Sequence, residues 1–300
     1  MKLLNAMLML AVCAAMLLWT PAATAKDVRL AVTPKAGTSY KYEVDISSEQ
    51  VAKTPMGDQG QTLGQMLELT LTWEEVSGDG SATAIIVFDR VRLEADGMQV
   101  AGSFDSAQPA GQDGNNPLAV VGRSVIGKPF TFKIAEDGEI TDVSGSDPLK
   151  PSAMIPAMLF QQLFSGESLS ESMLPLFRVK KAPSVASQGD TWTIVNERDM
   201  DGMGAKFVNS TDYTLERVSG DKASISLTGK IEIRNAPGTP NNPQQLKIKD
   251  SSYKGNCEWN VKDGVLQAYN SDMSFVGEAG QAPMLIEVEV TATGAFKRVK

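Results

Sequence analysis

The sequence predicts a mainly β protein of two antiparallel lobes joined by a short helical link, and three observations carry that prediction. Apolar and polar residues alternate with period two along most of the chain. Asp-Gly pairs, favoured in tight hairpins, stand at Asp137-Gly138 and Asp263-Gly264. The turn string Val76-Ser-Gly-Asp79 returns as Val218-Ser-Gly-Asp221, each copy feeding a strand. The paired signals predict an internal duplication. Its parts are a leader at 1–25, a first lobe at 26–147, a helical link at 148–182 and a second lobe at 183–300.

The leader has the layout of a cleaved signal peptide. Lys2 precedes an apolar run from Leu3 to Trp19, and Ala23-Thr24-Ala25 offers small residues at the cleavage position. Cys13 follows Leu10-Ala11-Val12, where a lipobox would carry a small residue in place of Val12. Past the leader no stretch is long and apolar enough to span a bilayer as a helix. The chain is therefore expected to be exported, to the periplasm or beyond.

Strand signals then follow in order. Tyr40, Tyr42, Val44 and Ile46 share one face, as do Leu67, Leu69, Leu71 and Trp73. Ile85 to Val87 is apolar on both faces, Asp89-Arg90 interrupts, and Val91 and Leu93 resume, the pattern of a bulged strand. Asn116-Pro117 reads as an N-cap with proline in the first turn, and Gly127 as the C-terminal stop of a helix inserted between Gln108 and Gly127. Phe130, Phe132 and Ile134 lead into the first Asp-Gly hairpin.

The link is the second break in the strand rhythm. Pro156 is expected to open a short helix ended by Gly166, and Ser168-Leu-Ser-Glu171 to cap a second one, cut off by Pro175. Beyond it Trp192 and Ile194, Tyr213 and Leu215, Ile225 and Leu227, and Ile231 and Ile233 alternate. Cys257, Trp259 and Val261 lead to the second Asp-Gly pair, and Ile286 to Ala292 close the chain.

Composition excludes several chemistries. There is no histidine in 300 residues, which removes Ser-His-Asp and Cys-His catalysis and His-ligated zinc or haem. A net charge of -8 without a basic stripe argues against nucleic acid as a partner. Cys257 is the one cysteine past the leader, so no internal disulfide is expected; its alternation with Trp259 and Val261 reads as core. No cofactor, metal or catalytic site is predicted. The glycines at 57, 60 and 64 match no phosphate-binding loop. The Ser-x-x-Lys strings at Ser219 and Ser251 lack helical spacing. Glu74 and Glu75 point to opposite faces of a strand and cannot flank one bond. Asp199-Met-Asp201-Gly202 and Asp113-Gly-Asn-Asn116 lack the further ligands of a calcium loop.

One cluster remains as a binding candidate. Met154, Met158, Leu159, Phe160, Leu163, Phe164, Met173 and Phe177 give the link a density of methionine and phenylalanine that suits an adaptable apolar groove. The same residues suit a plug between two sheets. Periplasmic lipid carriers pair a curved sheet with an apolar helical plug, an analogy at the level of fold only.

Several strings also occur in a familiar order: Gly37-x-x-Tyr40-x-Tyr42, Asp79-Gly-Ser-Ala-Thr83, Phe104-Asp-Ser106, Gly127-Lys-Pro-Phe-Thr-Phe132 with Asp137-Gly-Glu-Ile140, and Pro183 before Gly189-Asp-Thr-Trp192. In that order the chain resembles an uncharacterised domain-of-unknown-function family of exported bacterial β-proteins (DUF6263). The resemblance implies export and a β fold and assigns no catalytic or binding residue. Many relatives look like lipoproteins, and the Val12-Cys13 context departs from that. The expected role is a non-enzymatic envelope protein that binds or scaffolds. A periplasmic carrier of a lipid or other apolar ligand is the alternative, and a carboxylate-based hydrolase the third reading.

Overall fold

Period-two alternation is realised as one continuous sheet. The computed structural model describes residues 27–33, 35–78, 81–97, 100–149, 151, 153–179, 185–200, 205–235, 247–281 and 284–299. The expected leader, Asp79 of the first repeated turn, Asp201-Gly202 and Pro183 lie outside the described residues.

The strands are β1 (Val28–Arg29), β2 (Ser39–Thr54), β3 (Gly57–Val76), β4 (Ala82–Asp96), β5 (Gly102–Asp105), β6 (Pro129–Ile134) and β7 (Ile140–Ser144). After the link come β8 (Val185–Ala186), β9 (Thr191–Met200), β10 (Ala205–Ser219), β11 (Lys222–Asn235), β12 (Lys247–Asn260), β13 (Val265–Gln281) and β14 (Met284–Val299). Twelve strands form one antiparallel sheet in the order β7-β6-β4-β3-β2-β14-β13-β12-β11-β10-β9, with β5 on the far half of β4. Strands β1 and β8 make a small sheet of their own.

The two expected lobes are therefore two meanders of a single sheet. They join where β14 pairs with β2, from Glu287 opposite Lys53 to Val299 opposite Lys41. The hydroxyl of Tyr42 on β2 donates to the Leu266 carbonyl of β13 (3.0 Å), a second tie between the halves. The fold does not show an internal duplication. The two repeated turns also differ in form. The first is closed by the Ser77 amide donating to the Ser81 carbonyl (2.8 Å), whereas in the second Ser219 pairs directly with Lys222.

The interruption at Asp89-Arg90 is a bulge, as the broken alternation predicts. The register shifts so that Phe88 faces Leu69 and Arg90 faces Glu68. The extra residue keeps both Phe88 and Val91 inward and fully buried. It also places Arg90 beside Asp105, which accepts from Arg90 Nη2 (2.7 Å), Arg92 Nη2 (3.0 Å) and the Ala107 amide (3.0 Å). The Arg90 guanidinium holds the Asp105 carboxyl well below the usual carboxylate range.

That clamp leads into α1 (Pro117–Val125), capped as expected by Asn116, whose Oδ1 accepts from the Leu118 amide (3.0 Å). Leu118, Val121 and Val125 turn inward. The link contains α2 (Met154–Phe164), α3 (Gly166–Ser172) and a 3-10 turn, Leu174–Leu176. Two helix ends differ from expectation. Helix α2 starts at Met154, with Pro156 inside its first turn. Helix α3 starts at Gly166, because Ser165 Oγ accepts from the Ser168 amide (3.2 Å); Ser168 is not the cap and its hydroxyl donates to the Gln161 carbonyl (3.0 Å).

Under the first half of the sheet the link is packed ring on ring. Phe164 meets Phe88 at 5.6 Å, Phe88 meets Phe130 at 5.3 Å, and Phe177 meets Trp73 at 5.6 Å. Burying side chains of this size stabilises by about 1.5–3 kcal/mol each relative to exposure, and this aromatic layer is the centre of the core.

Candidate functional site

The concave face of the sheet changes character between its halves. Beneath the first half the inward positions are apolar, among them Val44, Leu69, Trp73, Ile86 and Phe88, and Leu215, Ile225, Leu227 and Trp259 carry that core into the second half. Along β9 and β10 the inward row runs Trp192, Ile194 and Asn196 opposite Tyr213, Thr211 and Asn209. The next strands supply Tyr253 and Tyr269, whose hydroxyls hydrogen-bond to each other. Glycines allow close strand packing here. A Cβ on Gly255 would stand 2.3 Å from the Asn270 carbonyl oxygen, and one on Gly229 would stand 2.6 Å from that of Ser210. Only glycine lets neighbouring strands approach so closely at these two positions.

The link crosses this region, where two side chains of β9 hold it. The Trp192 indole donates to the Val179 carbonyl (3.0 Å), while its ring stacks on Tyr213 at 5.8 Å. Arg198 of β9 reaches Glu171 (3.1 Å) and Glu167 (3.4 Å) of α3. Between these contacts lies a cavity of about 140 Å³. Its roof is Glu171, Leu174, Pro175 and Arg178; its floor includes Asn196, Asn209, Thr211, Tyr213, Tyr253 and Tyr269.

Arg178 is the unusual member. Its backbone is fixed by its amide donating to the Leu174 carbonyl (3.0 Å), between the buried side chains of Phe177 and Val179. Only 8% of the residue is exposed, and neither Nε nor Nη2 has a hydrogen-bond partner among the described residues. Among the described residues Glu171 is the one carboxylate lining the cavity, and it is engaged by Arg198. Burial raises its carboxyl above the ordinary value, against the pull of Arg198. Burial likewise pushes the Tyr213 and Tyr269 phenols upward, so both stay protonated donors at neutral pH. Thr211 Oγ1 donates to Asn209 Oδ1 (3.0 Å), which leaves the Asn209 amide group as a donor. Cys257, next along the sheet, is buried and its thiol is pushed up to about 12, the state of a core residue.

The eight residues of the sequence-derived groove divide differently. Leu159, Phe160, Leu163, Phe164, Met173 and Phe177 are buried in the core, at 4% exposure or less. Met154 and Met158 lie on the outer face of α2, exposed by 73% and 58%. None of the eight lines the polar cavity. Arg178 itself carries no sequence signal, since Arg178-Val-Lys180-Lys181 reads as a solvated basic run. The floor left a fainter one: polar Asn196, Asn209 and Thr211 occupy inward positions of otherwise alternating strands. A second depression, about 430 Å³, lies on the opposite face across β13, β14, β2 and β3, lined by Glu43, Asp45, Met66, Glu68, Asn270 and Lys297 among others.

Residues 79–266 match the model of a family of unknown function. The chain belongs to the DUF6263 family. The DUF6263 match contains every residue lining the polar cavity except Tyr269, and none of those lining the outer depression. No curated protein matches the sequence. Among solved structures the chain is similar to a lipovitellin chain, solved for its lipid–protein interactions, at 11% identity and TM-score 0.46. The likeness covers 89% of this chain and 26% of lipovitellin, so the chain spans about a quarter of that protein. It is also similar to DynF of the dynemicin pathway of Micromonospora chersina (7% identity, TM-score 0.21, 91% and 85% covered). A mutant porin of Rh. blastica follows (8% identity, TM-score 0.21, 87% and 100% covered). At such scores these likenesses say nothing of this chain's ligand or activity. No helix among the described residues is long and apolar enough to cross a membrane.

Proposed function

We propose that this chain is an exported, non-enzymatic binding protein of the cell envelope, and that its ligand occupies the cavity between the link and the second half of the sheet. One observation carries the reading: the same link that fills the first half with aromatic rings leaves a pocket of hydroxyls, amides and a guanidinium under the second. A protein selected for stability alone would fill that space with apolar side chains, because buried polar groups add stability only when fully satisfied. Export rests on the leader at 1–25. The non-enzymatic reading rests on a sequence without histidine and on a cavity with a single carboxylate among the described residues, since glycoside hydrolysis needs two.

Native mass spectrometry of the protein purified from its own envelope tests this. A reproducible small-molecule adduct, lost on denaturation, is the expected result; a bare mass in every preparation overturns it. The carrier of an apolar ligand stands as a second reading on a separate observation. Met154 and Met158 on α2 and Val120 (47% exposed) on the adjacent α1 present apolar side chains to solvent. Uptake of a fluorescent lipid that fails in a Met154→Ser/Met158→Ser variant is expected on that reading, and no uptake by either protein removes it.

A further inference from the structure

The ligand class can be read from Arg178. A guanidinium is never deprotonated in a protein, so its charge persists wherever the fold puts it. Removing such a charge from water without a partner costs several kcal/mol, and proteins normally meet that with a carboxylate or a ring of carbonyls. Here Arg178 is more than nine-tenths buried, with Nε and Nη2 unpartnered among the described residues, and the one carboxylate lining the cavity is held by Arg198. The surroundings also offer donors: tyrosine hydroxyls, the Asn209 amide group and Asn196. The backbone that carries this side chain is held on both sides. The Leu174 carbonyl fixes the Arg178 backbone on one side, and the Trp192 indole holds Val179 on the other.

We propose that the cavity binds an oxyanion, the carboxylate or phosphate group of a small ligand, with Arg178 as its anchor and the tyrosine and asparagine side chains as supporting donors. This rests on the binding reading above and deepens it. Guanidinium matches the geometry of both oxyanions, which is why arginine rather than lysine serves such sites. A cavity of about 140 Å³ admits the anionic group of the ligand and only a short chain behind it.

Thermal unfolding of the full exported chain, followed by tryptophan fluorescence, tests the proposal. Acetate, inorganic phosphate or octanoate replaces chloride at constant ionic strength, for the wild type and for Arg178→Met. A saturable rise in the wild-type Tm, about 5 °C at a hundredfold excess over Kd, is expected with at least one anion and is lost in Arg178→Met. A response to acetate or phosphate identifies a free anion. A response to octanoate alone identifies an anion carried on an apolar chain. Without any added anion, Arg178→Met is expected to unfold at the same temperature or a few degrees higher, because an unpaired buried charge has been removed. Equal anion responses in both proteins, or no response in the wild type, overturn the oxyanion assignment. So does an Arg178→Met variant several degrees less stable with no anion effect, which would make Arg178 a packing residue. A neutral ligand found by native mass spectrometry and retained by Arg178→Met leaves the binding reading standing and removes this inference. No ligand of any kind removes both.

Discussion

The two halves of this sheet bury the same link in opposite ways. Under β3, β4 and β6 the contact is aromatic, with Phe88 in ring-edge contact with Phe130 and Phe164, and Phe177 edge-on to Trp73. Under β9 to β13 the link is held by Trp192, by Arg198 and by the Leu174–Leu176 turn against β13, and it encloses a space lined by threonine, asparagine and tyrosine. A curved sheet therefore does not need its whole concave face filled. One half supplies enough apolar burial to hold the link, which leaves the other half free to keep polar groups that stability alone would discard.

The sharpest way to break this comparison is to damage the aromatic half. Phe164→Ala, at a fully buried position, should lower unfolding free energy by about 3–5 kcal/mol in urea titration; a loss under about 1 kcal/mol would mean that the link is not part of the core. Gly255→Ala forces a methyl toward the Asn270 carbonyl of β13 and should cost about 1–3 kcal/mol, read from the same titration. An unchanged midpoint would show that the close approach of β12 and β13 does not depend on this glycine. Glu171 gives a smaller, pH-dependent effect. Burial raises its folded pKa, so ionising it disfavours the folded state. That penalty is absent at acid pH and grows as pH rises from the ordinary value of 4.5 through the raised one. Glu171→Gln should thus match the wild type at acid pH and melt about 1 °C higher at pH 7, the exposed bond to Arg198 being a small offset. A wild type favoured at pH 7 would reverse the sign. Smallest of all, Met154→Ser with Met158→Ser should leave stability within about 0.5 kcal/mol, since both side chains face solvent; a larger loss would place them in the core after all.

Local features were legible in the sequence because local chemistry produces them. The Asn116-Pro117 cap, the bulge at Asp89-Arg90 and the Asp-Gly hairpins each depend on residues within a few positions of one another. The cap of α3 was misread for the same reason. Ser168-Leu-Ser-Glu171 has the pattern of a capping box, but Ser165 reaches the Ser168 amide first and Gly166 opens the helix instead of closing its predecessor. Nonlocal facts were not legible. Nothing near Val44 or Phe296 announces that they face each other across β2 and β14, so one sheet looked like two lobes. Arg178 was invisible because its burial is decided by Trp192 and the tyrosines of other strands, while its own neighbours Lys180 and Lys181 suggest a solvated run. The six buried link residues could be read as groove or plug, since both uses ask for the same side chains.

The pairing of β2 with β14 also fixes an order of events. The strand that joins the two meanders pairs with one that is distant in sequence, so this contact closes after the local hairpins have formed. Until Met284–Val299 arrives, β2 and β13 each carry an open edge, a row of amides and carbonyls that another chain could pair with. The molecule is thus open to self-association until that pairing closes, and removal of that one strand would leave both edges open for good.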